Sequence, residues 1–236
     1  MTAPQNAMVL AAGFGTRMGE LTRSRPKPLL QVAGKTLIDH TLDILAAAGV
    51  GHAVVNLHYL GVQIRDHLAS RTVPPVTFSE EQPEILDTGG GVTQALPDLG
   101  PEPFLTINSD AIFHGANPVE VLASAWRPET MDALLLLVPV DRAISYTRAG
   151  DFFLEQDAGT PRRRDAAASA PYVFAGAQII RPEAYKDPPQ GAFSNNLIWD
   201  RLLTEGRLSA VVYPGRWADV GTAEGLSAAE TLLADG

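Results

Sequence analysis

Short apolar runs alternate with helix-periodic segments along the first 140 residues, and this alternation limits the fold more than any other feature of the chain. Residues 7–11 form an apolar run closed by small residues and glycine, the pattern of a buried strand. Over 36–48, Leu37, Ile38, Thr41, Leu42, Ile44, Leu45 and Ala48 recur at helical spacing, and Gly49 stops the segment. Further strands are read at 53–57, 76–79, 104–107 and 133–138, with helices at 60–68, 91–96 and 118–126. Strands that take turns with helices predict βαβ units, hence a mostly parallel sheet flanked by helices. Beyond residue 140 the rhythm changes to strands at 151–155, 172–180 and 209–213, with helices at 196–204 and 222–234. Residues 160–171, rich in Arg, Ala, Ser and Pro, read as an exposed, mobile loop. The expectation is a single α/β domain over 1–236, with a substrate-side region built from the second half.

Composition narrows the partners. With 236 residues and 45% hydrophobic content the chain can bury a sizeable core. A net charge of −9 disfavours duplex nucleic acid and anionic membrane, and leaves room for a small anion that meets only a local field. There is no cysteine, which removes disulfides, zinc–thiolate sites and cysteine nucleophiles. The longest apolar stretch, 133–140, is far short of the roughly 20 residues a bilayer requires. No basic n-region precedes the first strand, so a cytoplasmic location is expected.

The stretch from Leu10 to Met18 reads LAAGFGTRM, and Pro26-Lys27-Pro28-Leu29 follows. Small residues after a buried strand let backbone N–H groups approach and cradle an anion. Arg17 can grip phosphate oxygens with two N–H groups, and Lys27 is a point charge stiffened by prolines on both sides. Arg17, Arg23, Arg25 and Lys27 crowd into one short segment of an acidic protein, which favours phosphate over a plain glycine turn. The P-loop pattern G-x-x-x-x-G-K-S/T is absent from the sequence. Gly13, Gly15 and Gly19 miss the dinucleotide fingerprint by one position, which disfavours a hydride-transfer enzyme.

LAAGFGTRM followed by PKPL resembles the signature of the sugar-1-phosphate nucleotidyltransferases, and the likeness runs from Leu10 to Thr222. It implies a glycosyltransferase-A-like α/β fold that joins a nucleoside triphosphate to a sugar 1-phosphate with release of pyrophosphate. Residues 1–140 would then bind the nucleotide, and 141–236 the sugar together with the second metal aspartate. The loop through Leu10, Ala11, Ala12, Gly13 and Gly15 would wrap the triphosphate. By the same likeness Arg17 would hold the β- and γ-phosphates and Lys27 the α-phosphate. Magnesium is the implied cofactor, because such chemistry uses a hard cation on carboxylates.

Two aspartates match the family's metal motifs: Asp110 in Asn108-Ser109-Asp110 and Asp219 in Trp217-Ala218-Asp219-Val220-Gly221-Thr222. Taken alone, Asp110 could simply close a strand. Asp219 could cap the next helix, a task open to Thr222 as well. The likeness makes Arg17, Lys27 and Asp110 the catalytic set and Asp110 and Asp219 the metal ligands. It extends to Leu86-Asp87-Thr88-Gly89-Gly90-Gly91, which would lie over the base through Gly89 and Gly90, with Glu84 or Gln82 adding a hydrogen bond. Asn108, Asp151 of Gly150-Asp151-Phe152, and Gly176 fall where relatives hold the sugar. The length, the LDTGGG, GDF and WADVGT segments are most similar to the branch that uridylylates N-acetylmuramate 1-phosphate in bacterial cell-wall sugar recycling. Pairings such as mannose 1-phosphate with GTP or glucose 1-phosphate with dTTP are the alternatives within the class. A non-catalytic nucleotide-sugar sensor is the alternative outside it.

The remaining polar residues carry less. His40, His52, His58, His67 and His114 lack metal-ligand spacing and read as structural. Ser109 has no nucleophile-elbow context. Arg162, Arg163 and Arg164 read as part of the solvated loop, with attraction of substrate phosphate as the alternative, and Asn195 and Asn196 read as caps of the following helix.

Overall fold

A computed structural model describes residues 2–156 and 158–234. The longer strands are β1 (Asn6–Leu10), β2 (His52–Leu57), β3 (Val76–Glu80), β4 (Phe104–Asn108), β5 (Ala111–His114), β6 (Ala133–Pro139), β7 (Tyr172–Ile180), β8 (Leu208–Val212) and β9 (Arg216–Asp219). The helices are α1 (Leu37–Ala47), α2 (Gly61–Leu68), α3 (Asp87–Leu99), α4 (Pro118–Ala125), α5 (Asn195–Thr204) and α6 (Ala223–Ala234).

The main sheet runs β8–β6–β7–β4–β1–β2–β3. β1 is parallel to β2 and β4, β2 to β3, and β6 to β8; β7 lies antiparallel between β4 and β6. The inner strands are buried on both faces, and their residues divide by parity. Ala7, Val9, Val55, Leu105, Ile107, Leu134 and Leu136 join Ile38, Leu42, Ile64 and Leu122 from α1, α2 and α4. Met8, Val54, Phe104, Leu135 and Leu137 face Val92, Leu99, Ile198 and Leu202 from α3 and α5. Because consecutive strand side chains point to opposite faces, an apolar run with no polar alternation requires helices on both sides. A third cluster joins α6 to Met18, Leu37 and Ile112. No helix among the described residues is long and apolar enough to cross a membrane.

The chain leaves β1 toward β2 and β3 on one side and returns to β4 on the other. That reversal makes a crevice at the carboxyl ends of β1 and β4, the usual place for a ligand in an open α/β sheet. The register pairs Leu10 with Asn108, so the glycine loop and the Asn108–Asp110 turn leave the sheet side by side. A second sheet of β5, β9 and the two-residue strand Ala143–Ile144 lies beyond them. In it Asp219 pairs with Ala111, which sets Asp219 beside Asp110.

Several sequence expectations change. The third helix begins at Asp87, not at 91, and contains the three glycines; tertiary packing overrides their weak helix propensity. β5 and β9 are strands that the hydrophobic pattern did not announce. Only Phe152–Phe153 of the expected strand at 151–155 forms, and Arg162–Arg163 pairs with it, so part of the expected mobile loop is an ordered ribbon. Ser194, not Asn195 or Asn196, caps α5.

Candidate active site

The glycine loop leaves β1 and turns back over Lys27. Gly15 adopts φ +64, and a Cβ there would lie 3.0 Å from Lys27 Cβ and 3.1 Å from Thr22 Cγ2, so only glycine fits this conformation and this approach. Thr22 Oγ1 donates to Gly15 O at 3.0 Å and fixes the turn. Lys27 is buried between Pro26 and Pro28, and its Nζ donates to Asp110 Oδ2 at 2.5 Å. Arg17 is exposed, and its guanidinium lies over Gly221, where a Cβ would come within 2.6 Å of Nη1. A cleft of about 230 Å³ opens between Gly13, Gly15, Arg17, Lys27, Asp110 and Gly221. Its donors and cations suit a polyphosphate.

Asp219 is a half-buried neighbour of this cleft. Burial is the main cause that pushes its carboxyl above the ordinary carboxylate value, and the charge of Asp110 adds to it; Lys27, Arg148 and Arg17 pull in the opposite direction. Thr222 Oγ1 accepts from Gly225 N at 3.1 Å, so Thr222 serves the start of α6 and Asp219 is left for other work. Arg148 Nη2 donates to Asp219 Oδ2 at 3.4 Å. Two carboxylates brought together across a strand pair, one desolvated, are a donor set that a hard divalent cation with further oxygen ligands would satisfy. No group of three or more acidic or histidine ligands occurs among the described residues.

A second cleft, of about 220 Å³, lies between the glycine loop and the start of α3, against Asn56, Glu81, Ile85, Asp87, Thr88 and Asn108. Asn56 and Glu81, both buried, form its floor. Asn56 Oδ1 accepts from Ala11 N at 2.6 Å, Asn56 Nδ2 donates to Glu81 Oε1 at 2.6 Å, and Glu81 Oε2 accepts from Leu86 N at 2.7 Å. The Ala11 N–H is therefore committed to Asn56, which leaves the cradle to the residues after it. Glu84 is exposed and lies outside this lining.

Gly89 and Gly90 are closely packed against the segment before α5. Their N–H groups both donate to Phe193 O, at 2.8 and 3.1 Å, and a Cβ at Gly89 would strike the Phe193 ring at 2.4 Å. These two N–H groups are thus bonded to the segment before α5. At Gly176 the backbone adopts φ +79, and a Cβ there would lie 2.8 Å from Asn108 Nδ2, so this glycine lets Asn108 pack against the strand.

The third cleft, about 520 Å³, runs along the 148–152 segment, Arg163, Arg164, Phe174 and the start of α5. Asp151 lines it and accepts from Phe174 N at 3.0 Å. Phe152 pairs with Arg163 and Phe153 with Arg162 across the short ribbon. The guanidiniums accordingly stack on the rings, Arg162 at 4.1 Å from Phe153 and Arg163 at 4.9 Å from Phe152. The three clefts share Leu10, and Asn108 borders the second and third. Ser109 is buried and donates its hydroxyl to Leu10 O at 2.8 Å, so it has no nucleophilic role. Asn56, Glu81, Thr88, Arg148, Arg163 and Arg164 line these clefts without having been singled out as site residues from sequence. A polar Asn inside the apolar strand and an acid at the end of the next one were the only local signals for Asn56 and Glu81.

A model of the MobA-like NTP transferase domain matches residues 7–179. The N-acetylmuramate alpha-1-phosphate uridylyltransferase of Caulobacter vibrioides is 44% identical, over 99% of this chain and 98% of its own. The protein of the same name from Neisseria meningitidis serogroup B is 36% identical, over 96% of this chain and 97% of its own. A crystal structure of UDP-glucose pyrophosphorylase complexed with UDP-glucose covers 100% of this chain and 99% of its own, with a TM-score of 0.77 and 19% identity, a likeness of fold. With a matching domain model over most of its length and two end-to-end relatives, the chain belongs to the MobA-like NTP transferase family.

Proposed function

We propose that this chain is an enzyme that transfers uridine monophosphate from UTP to N-acetylmuramate 1-phosphate, giving the UDP-sugar and pyrophosphate. The observation that carries the reading is the meeting of three clefts at Leu10, with Lys27 clamped on Asp110 at the junction and Asp219 beside it. The names of the two end-to-end relatives support the choice of base and sugar.

The cleft beside Lys27 takes the triphosphate, the one over Asn56 and Glu81 the nucleoside, and the one beside Arg163 the sugar. An oxygen of the sugar phosphate, already ionised at neutral pH, attacks the α-phosphorus in line. The bond from the α-phosphorus to the oxygen bridging it to the β-phosphorus breaks, and that oxygen leaves with pyrophosphate. No side-chain nucleophile and no proton transfer are required. The protein contributes position and charge: the loop N–H groups and Arg17 hold the leaving phosphates, and Lys27 stands at the transferred one. Arg148, where the sugar cleft meets Asp219, steadies the attacking phosphate. Asp110 and Asp219 would hold the magnesium, which supplies neutralisation of the phosphate charge when bound. UTP as co-substrate and a cell-wall sugar as acceptor fit cytoplasmic work that returns the sugar to its UDP-linked form.

A panel of nucleoside triphosphates against sugar 1-phosphates, read as pyrophosphate release, tests the proposal. UTP with N-acetylmuramate 1-phosphate should give the highest kcat/KM. If UTP released no pyrophosphate with any sugar 1-phosphate, the uridylyl reading would be lost.

A further inference from the structure

Three guanidiniums line the cleft beside Asp151, and they differ in what holds them. Arg148 approaches Asp219 at 3.4 Å, at the reacting end. Arg163 is neutralised by Asp200 at 2.8 Å, donates to Asn196 Oδ1 and stacks on Phe152 and Trp199. Arg164 is held by neutral groups. Its Nε donates to Gly150 O at 3.0 Å and its Nη1 to Ala167 O at 2.9 Å, and it forms no ion pair among the described residues. Two carbonyls fix its plane without cancelling its charge. A half-buried guanidinium fixed in this way keeps the rest of its fork for a planar anion.

The acidic groups of the same wall are Asp151 and Asp165. Asp151 is engaged with Phe174 N, and Asp165 is exposed at φ +47 just after Arg164. They suit the hydroxyl and amide donors of a sugar. They do not neutralise Arg164 by direct contact. A neutral sugar 1-phosphate brings one anionic group, and Arg148 stands where it reacts. A second unspent cation in the cleft answers a second negative group on the substrate.

We propose that Arg164 forms a carboxylate subsite, and that it selects sugar 1-phosphates carrying an acidic substituent on the ring over neutral ones. N-acetylmuramate has such a group in its lactyl ether, which N-acetylglucosamine lacks. The subsite rests on the transfer reaction proposed above, and the test keeps the two apart.

The test compares N-acetylmuramate 1-phosphate with the same compound bearing the lactyl group as its amide, and with N-acetylglucosamine 1-phosphate, all with UTP. The wild-type chain should prefer the acid over the amide by about 10- to 100-fold in kcat/KM, the size of a charge-assisted hydrogen bond. In Arg164→Met that acid-to-amide ratio should fall close to one, and Arg164→Lys should keep part of it. Equal wild-type rates with acid and amide would overturn the subsite without any variant, so a misfolded mutant cannot hide the result. A variant in which both substrates fall by the same factor would overturn it as well, and would make Arg164 a structural clamp of the 164–167 turn. If the wild-type chain turned over none of the three, the transfer reaction itself would be wrong, and the subsite with it.

Discussion

The two sides of the proposed reaction centre are built on different terms. On the triphosphate side the main cation is pre-set: the Lys27 side chain is 10% exposed and its ammonium is bonded to Asp110 at 2.5 Å. On the sugar side the Arg148 side chain is 62% exposed and reaches Asp219 only at 3.4 Å. The contrast assigns different kinds of work. A desolvated, fixed charge stabilises what forms in the transition state, whereas an exposed, loosely paired one acts mainly in gathering the substrate.

Substitutions at the two cations test that contrast most directly. Lys27→Met should cost about 10²–10³-fold in kcat, comparable to the loss of a preorganised transition-state donor. Steady-state pyrophosphate release measures it, and a fall confined to KM would erase the distinction between the sides. Arg148→Gln should raise KM for the sugar 1-phosphate by roughly 10-fold and leave KM for UTP nearly alone, the loss of one charge-assisted hydrogen bond at a wet site. An equal rise in both KM values would place Arg148 on the triphosphate side.

Two smaller changes concern the walls. Gly89→Ala should destabilise the fold by about 1–3 kcal/mol, because its Cβ has to displace the Phe193 ring. Thermal melting checks this; a loss of UTP affinity with an unchanged Tm would point to a base-contact role. Arg163→Met should cost about 1 kcal/mol, near 2–4 °C in Tm, since it loses stacking and a pairing with the exposed Asp200. A much larger drop would mean that the sugar-side ribbon is as rigid as the phosphate side.

What could be read from the sequence follows the same division. The glycine loop, Lys27 and the helix-flanked parallel core were legible because each is a local pattern: a run of small residues, a proline-flanked lysine, a period of 3.6 against unbroken apolar runs. Asp110 and Asp219 were legible as motifs, but their adjacency depends on the pairing of β5 with β9, which no local pattern encodes. The sugar side was obscure for a related reason. Phe152–Phe153 and Arg162–Arg163 are two-residue strands, too short to show a period, and their pairing is what stacks Arg162 and Arg163 on the phenylalanine rings. Gly89, Gly90 and Gly176 were visible as glycines. What fills the space beside each was not, because Phe193 and Asn108 arrive from elsewhere in the chain.

The pairing of Asp219 with Ala111 has a consequence for how correct folding can be detected. Strand side chains alternate faces, so a slip of one residue between β5 and β9 would turn Asp219 away from Asp110. The main sheet, and with it nearly all the far-ultraviolet signal, would be unchanged. Turnover is therefore a sharper gauge of native register than secondary-structure content, and a refolded sample with full ellipticity and low activity would report misregistered molecules.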